Sequence, residues 1–545
     1  MTRQCRFFNS ICLGIFLIAG GLISATLKYE LLFDFIQYHY YNGFAFLNNR
    51  LMTDIAASAL PTYYNPLLDS FFFLLNQVFK ENMSMYYFIT GLPFGALMFV
   101  FFKIALLFFN PAKTGGKLCL ALCLSIALTG YDVWFQIGTS THEIPVSVFI
   151  LTAVYLLLEF PEKTPAYFTA GLCLGAAAGL KLTAAVYCLS TGLTLILLYK
   201  SLDRPKTFIA ALAAGGLTGY LAVNGFWAAV LWQNFENPVF PFWNKIFKSP
   251  YYPDFNYVDM LHLYNLKWYE QLFLPFYLIL HPYDSKIGVC ADVSDIRFAL
   301  VFIIGFIRIV LLALKKAPVL SRRMRFFSLW LFISYIIWNL SSANLRFTIP
   351  IETGCAIILV SAGWYLKKSG NIFKEIFFLS FLSILTGILL LTPFLSYKWG
   401  NRQTGFLLEE KITLPAGTLL VTAGLPTAAF AAEIAERNEN IKLLGFTDEY
   451  PNAHWKKWDI AKYGKMKEKT AGLLNTTTSK IALIVKHVYQ ETPQLLALLP
   501  FDTAGWNCRP VEISQDVARL FIGSRLSPPE LCFPPEMKEK IIIEK

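Results

Sequence analysis

Over the first two-thirds of the chain, long apolar runs alternate with short basic breaks and a few long polar stretches. A helix of about 20 apolar residues crosses a bilayer. Runs at 10–27, 85–109, 118–131, 145–160, 166–180, 183–199, 207–232, 296–314, 325–340, 347–366 and 372–393 approach that length, several falling short of it. The pattern predicts a polytopic α-helical membrane protein with about eleven transmembrane helices. The first run follows Arg3 and Arg6 with no clean small-x-small site after it, so it reads as an uncleaved first span. A further apolar piece, 272–280, contains Pro275 and reads as a re-entrant or interfacial helix. From about residue 397 the pattern changes. Thr418–Thr422, Ile441–Phe446 and Lys480–Val485 read as strands and Thr427–Arg437 as a helix, which predicts a small α/β domain. The chain therefore divides into a membrane part, 1–396, and a C-terminal domain, 397–545.

Composition supports this division. The 545 residues are 56% hydrophobic and 15% charged, against about 25% charged in soluble domains. The net charge of +11 comes largely from Lys and Arg in short loops between apolar runs, such as Lys113 and Lys117, Lys200 and Arg204, and Arg322 and Arg323. This is a topology signal and no sign of a nucleic-acid partner. Basic loops stay in the cytoplasm, so the expected N-terminus is cytoplasmic. The long loops 28–84 and 233–295, the short loop 131–144 and the C-terminal domain then share the outer face. Cys508 and Cys532 both fall on that oxidising side and form a candidate disulfide.

The stretch Phe33–Asp69, FDFIQYHYYNGFAFLNNRLMTDIAASALPTYYNPLLD, is the most informative of the polar loops. Helix connections usually run about 2–8 residues, and this one is far longer. It carries Asp34, Asp54, Asp69, His39 and Arg50 among tyrosines and asparagines. If 34–48 is helical, Asp34 shares a face with Tyr38, and His39 with Asn42. Asp34 stands at the membrane edge, where a carboxylate can take a proton from a hydroxyl, or can cap an interfacial helix. Asn65–Asp69 reads as the start of a helix, with Asp69 structural. The second loop carries Asp132, a cap or an acid, and Thr141–Pro145 (THEIP), in which His142 and Glu143 read as a second acid/base, a metal pair or interfacial hydrogen-bonding groups. Lys181, in AAAGLKLTAA, and Arg346, in SSANLRFTIPIE, are cations at the edges of apolar segments. Such groups mark a site more often than not, and a fork-shaped guanidinium beside a lysine suits a phosphate. The competing readings pair Arg346 with Glu352 or have these cations snorkel to the interface. The aromatic and proline-rich Glu236–Phe255 suits sugar stacking, lipid headgroups or plain interfacial packing.

An acid just after the first span in a long outer loop, many spans, GLKLTAA in mid-chain, an arginine before proline in LRFTIPIE and a closing outer domain together resemble the GT-C superfamily of integral-membrane glycosyltransferases. The similarity is to its bacterial branch, related to protein mannosyltransferases and to lipid A or arabinan sugar transferases, and it covers residues 1–396. It implies a polyprenyl-phosphate-linked sugar as donor, bound from the bilayer of the bacterial inner membrane, and an inverting transfer to a glycan or lipid acceptor on the outer face. On this reading Asp34 is the catalytic base, with His39 beside it. Arg346, with Lys181, binds the donor phosphate, and Asp132, His142 and Glu143 are acceptor-binding or second acid/base groups. Many relatives carry a second acid directly after the first, whereas Phe35 follows Asp34 here. A divalent metal is therefore left open and no cofactor is assigned. The rival readings are a lipid-linked sugar flippase or transporter, an O-antigen-type polymerase or ligase, and a non-catalytic scaffold.

Overall fold

The computed structural model describes residues 3–28, 32–254, 266–280, 295–342, 344–367, 387, 404–446, 460–477, 480–486, 499–515, 517 and 528–544. Ten of the eleven expected spans are helices: Arg3–Leu27, Met83–Phe108, Gly116–Leu128, Glu143–Glu159, Thr164–Leu180, Ala185–Leu197, Pro205–Phe235, Ile296–Ala313, Arg322–Ser341 and Ile349–Lys367. The eleventh, 372–393, lies outside the described residues apart from residue 387. Among the described residues, six helical segments are long and apolar enough to cross a membrane: Asn9–Leu27, Met83–Phe108, Pro205–Phe235, Ile296–Ala313, Arg322–Ser341 and Leu345–Tyr365. That is the make-up of a multi-pass membrane protein, with fewer full-length spans than the hydropathy pattern predicted. The other four helices have 13 or 17 residues, short of the ~20 that a bilayer asks for. Local backbone ends them early. Thr164–Leu180 stops where Lys181 turns extended, and Gly116–Leu128 stops at Thr129 and Gly130, where the second polar loop begins. The apolar piece at 272–280 is a pair of short helices, Trp268–Leu272 and Leu274–Leu280.

Helices pack by backbone approach as well as by side chains. Thr164–Leu180 lies against Pro205–Phe235 with Gly175 facing Gly216 so closely that a Cβ on Gly175 would collide with the Gly216 carbonyl. Between apolar helices in lipid, close packing of small residues replaces the hydrophobic drive that operates in water. The larger apolar core spans Phe94–Phe101, Val146–Leu158 and Trp330–Val360.

The C-terminal part is an α/β unit. Its five-stranded sheet has the order β3 (Lys442–Phe446), β2 (Leu419–Ala423), β4 (Ile481–Val485), β6 (Glu530–Phe533), β5 (Asn507–Pro510). The first three are parallel and the last two join antiparallel. Helix Ala428–Glu436 lies in the connection from β2 to β3, and Gly464–Thr477 in that from β3 to β4. The first three strands are buried throughout apart from Lys442, and apolar but for Lys442 and Thr422, as expected of parallel strands covered on both faces. Cys508 and Cys532 stand directly opposite each other on β5 and β6 and are joined by a disulfide. The two ends of this unit are tied by a small antiparallel pair, β1 (Lys411–Thr413) with β7 (Ile542–Glu544).

The first polar loop is built into this sheet. Ile55 pairs with Leu444 alongside β3: its amide donates to the Leu443 carbonyl at 3.0 Å, and its carbonyl accepts from the Gly445 amide at 2.9 Å. Asp54 is buried and accepts from the Leu443 amide at 2.9 Å, from Arg50 Nη2 at 2.9 Å and from the Tyr41 hydroxyl at 3.2 Å. Burial pushes the Asp54 carboxyl up, and the Arg50 guanidinium offsets part of that rise. Phe35, Ile36, Tyr41 and Tyr63 of the loop, Trp227 and Phe240, and the sheet residues Leu420, Leu443 and Ile484 belong to one apolar core. The two parts that composition separates at residue 397 thus share an interior.

Candidate active site

The backbone after the first span sets up the site. A helical turn, Leu32–Asp34, runs into a π-helical turn, Phe35–His39, and then into the helix Tyr40–Leu47. A π-turn offsets the residues on either side of it and is frequent at functional sites. Here Asp34 accepts from the Tyr38 hydroxyl at 3.3 Å, the pairing expected from their spacing. Burial and the neighbouring Asp34 carboxylate push the Tyr38 phenol well up, so Tyr38 keeps its proton and remains a donor.

Four chain segments then meet. The turn Leu345–Thr348 carries Arg346 inward, and its Nη1 lies 2.5 Å from Asp34 Oδ2 while Nη2 lies 3.3 Å from Glu143 Oε1. Lys181 Nζ pairs with the same Glu143 oxygen and sits 5.4 Å above the Phe347 ring. Asp34, Arg346, Glu143 and Lys181 therefore form a charge-balanced quartet. Two members reach solvent in part and two are buried: side-chain exposure is 13% for Asp34 and 16% for Lys181, against 7% for Arg346 and 3% for Glu143. The turn is held from behind. The Arg346 amide donates to Asn344 Oδ1, Gln136 Nε2 donates to the Arg346 carbonyl, and the Tyr187 hydroxyl donates to the Phe347 carbonyl. Lys181 is placed by the end of its own helix, which Asn65 of the first loop clasps by donating to the Gly179 carbonyl at 2.8 Å.

Next along both loops is a second cluster. His39 Nδ1 lies 2.6 Å and His142 Nε2 2.8 Å from the same Asp69 Oδ1, and the two imidazole rings are 4.8 Å apart. Asn42 Nδ2 donates to Asp69 Oδ2 at 3.2 Å, so His39 and Asn42 do share a face, and it is turned to Asp69. An ionised carboxylate only accepts, so both imidazole nitrogens carry a hydrogen in these contacts. Burial raises the Asp69 carboxyl, but the two imidazoles outweigh it and hold Asp69 below the usual carboxylate range. Because Tyr38 adjoins His39 and His142 adjoins Glu143, the quartet and this trio are built on the same two strips of backbone.

Of the expected site residues, Asp34, His39, Arg346, Lys181, His142 and Glu143 come together. Asp132 does not join them. Its Oδ2 accepts from Thr348 Oγ1 at 2.9 Å, beside Glu352, which accepts from the amides of Asp132 and Val133, both at 3.2 Å, and from Arg297 Nη2 at 3.0 Å. Asp132 does not cap the short helix Tyr131–Phe135 either, because Gly130 holds the N-cap position. The Arg346–Glu352 pair is overturned as well: Arg346 faces Asp34 and Glu143, and Glu352 faces Arg297. The helical phase after Pro350 turns Glu352 to the side away from the turn that carries Arg346.

Asp69 is the site residue that reading by position demoted. Its signal was local: a lone acid in LLDSFFFLL, in the first turn of the helix Leu67–Phe79, on the buried side of an apolar helix. Arg297 and Asp295 carried no comparable signal, because their segment reads as a plain helix start. The aromatic third loop folds against the C-terminal domain. Asn244 Nδ2 donates to the carbonyls of Ser249, Tyr252 and Pro253, and the Lys465 amide donates to the Pro250 carbonyl. No protein-family model matches this chain, and no curated protein sequence matches it.

Proposed function

We propose that the chain is a GT-C-type membrane glycosyltransferase of the bacterial inner membrane. It moves a sugar from a polyprenyl-phosphate donor to a glycan or lipid acceptor on the extracytoplasmic face, with the N-terminus in the cytoplasm and the C-terminal domain in the periplasm. Shorter helices complete a bundle of about eleven crossings. The observation that carries this reading is the quartet. An acid, a second acid and two cations, drawn from segments far apart in sequence, meet in one partly open cluster beside the first span.

The chemistry follows from exchanging partners. In the quartet the two carboxylates occupy the two cations. A donor phosphate entering from the bilayer competes for Arg346 and Lys181, since a guanidinium grips phosphate as a fork and an ammonium as a point charge. Asp34, released from Arg346, becomes a base held by the Tyr38 hydroxyl. It takes the proton of the acceptor hydroxyl as that oxygen attacks the anomeric carbon. The bond from that carbon to the phosphate oxygen breaks, and the electron pair leaves with the lipid phosphate, whose charge Arg346 and Lys181 stabilise. Glu143 then holds Lys181 between turnovers.

The test is transfer from a labelled polyprenyl-phosphate sugar to glycan or lipid acceptors by the purified protein. Asp34→Asn is expected to remove about 10²–10⁴-fold of the activity while the protein stays monodisperse in detergent. Full activity in that variant sinks the assignment of the base. Movement of the lipid-linked sugar between leaflets, with its glycosidic bond intact, favours the flippase instead.

A further inference from the structure

The trio behind the quartet has the make-up of a metal centre. Two imidazoles and one carboxylate on three separate segments converge, with ligand-capable atoms all within 4.8 Å of one another. All three side chains are almost wholly buried. Three protein ligands of the His₂-carboxylate kind, with a further position open, are the make-up of catalytic zinc sites. Imidazole with carboxylate also suits the later first-row divalent ions in general.

An outer layer is also in place. Ligating side chains are commonly fixed by hydrogen bonds from behind, and Asn42 Nδ2 donates both to Asp69 Oδ2 at 3.2 Å and to the Pro61 carbonyl at 2.9 Å. The rings are wedged. Tyr38 lies against His39 with centroids 4.1 Å apart, and Phe72 stacks on His142 at 6.2 Å. The trio is also short of partners. Two N–H groups share one carboxylate oxygen, while His39 Nε2 is buried with no hydrogen-bond partner. The Asp69 carboxylate is a buried negative charge, which is costly unless a positive charge compensates it.

We propose that His39, Asp69 and His142 bind one divalent transition-metal ion of the zinc type. Ligands at about 2.0–2.1 Å from zinc in a tetrahedron stand about 3.4 Å from one another. The present separations run from 2.6 and 2.8 Å to the carboxylate up to 4.8 Å within the trio, so ion entry moves Asp69 back and closes the widest gap. Each ligating imidazole nitrogen gives up the hydrogen it donates to Asp69, and the ring keeps one on its other nitrogen. The assignment is independent of the sugar-transfer reading, since it concerns occupancy and not turnover.

A proton on one imidazole would supply the same compensating charge, and the experiment separates the two. The full-length protein is purified in detergent, stripped with chelator and titrated with Zn²⁺ and, separately, Co²⁺, with bound metal counted by mass spectrometry. The wild type is expected to take up one ion per chain and to develop the visible bands of four- or five-coordinate Co²⁺. His39→Asn and His142→Gln place an amide N–H where Nδ1 and Nε2 stand, so each keeps its hydrogen bond to Asp69 and preserves the fold while removing a ligand. Each is expected to lower bound metal to background with an unchanged elution profile. His142→Cys, which supplies a thiolate ligand, is expected to retain the ion and add a sulfur-to-cobalt charge-transfer band. A wild type that binds neither ion, or amide variants that bind as well as the wild type, overturns the metal site and leaves a proton-balanced trio.

Discussion

Two arginines in this protein each hold two carboxylates, and they are held in opposite ways. Arg297 is fully buried and is fastened to backbone as much as to side chains. It donates to the carbonyls of Ile126 and Thr129 as well as to Asp295 and Glu352. Its partner Glu352 in turn takes two amides at the start of the helix Tyr131–Phe135, where helix N-termini favour negative charge. Arg346 pairs side chain to side chain with Asp34 and Glu143, and its neighbours Asp34 and Lys181 are partly exposed. A charge locked to backbone cannot change partners without unfolding its surroundings. A charge paired with other side chains can trade them for a ligand. The first arrangement is a structural lock and the second has the properties of a site. One turn joins them, since Leu345–Thr348 delivers Arg346 to the quartet and Thr348 to Asp132.

The sharpest way to break this comparison is at the lock. Arg297→Met leaves Asp295 and Glu352 buried and uncompensated, and is expected to destabilise by about 3–5 kcal/mol. The loss reads out as a collapsed elution peak and a lower melting temperature in detergent. Arg346→Lys keeps the charge and loses the fork. It is expected to leave the melting temperature near that of the wild type while lowering the proposed sugar transfer by about 10²–10³-fold. If instead Arg346→Lys unfolds the protein and Arg297→Met only slows it, the two roles have been assigned the wrong way round.

A finer probe is Gly130→Ala. A Cβ there would collide with the Glu352 carboxylate, pushing it off the amides it accepts from. About 1–3 kcal/mol of stability should go, measured by thermal melting, with the quartet's chemistry intact in the protein that remains folded. A more gradual effect concerns a buried acid of the C-terminal domain, Glu433. Burial lifts it to about 7, although Arg437 pulls the other way. Its folded-state value therefore lies above its unfolded one. The stability it contributes is full below about pH 4.3 and is lost as pH rises to about 7. Stability, followed by thermal melting from pH 5 to 8, should decline by roughly 2–3 kcal/mol, and Glu433→Gln should flatten that decline.

Much of this was legible from residue order. The apolar runs became helices in all ten described cases, because burying a run of that length leaves the backbone little alternative to bonding within itself. The three inner strands and the helix Ala428–Glu436 fell where their patterns predicted, and Cys508 met Cys532. Six of the seven residues suggested for chemistry converged, since ionisable groups at the ends of apolar runs are costly unless they are used together. Span number was less legible. Hydropathy measures how apolar a run is, while turns at Gly130 and Lys181 decide how long its helix lasts.

The sequence by itself determined which segments are helical, which are strands and which polar residues stand out against apolar surroundings, because those depend on neighbours a few positions away. Only the tertiary structure decided the partners. Asp69 becomes the hub of two histidines, Asp132 is drawn in beside the Arg297 lock, and Ile55 joins a sheet by pairing with Leu444, nearly 400 positions further on. Pairings of that kind depend on how helix ends are brought together in space, and the spacing of residues along the chain carries no record of that.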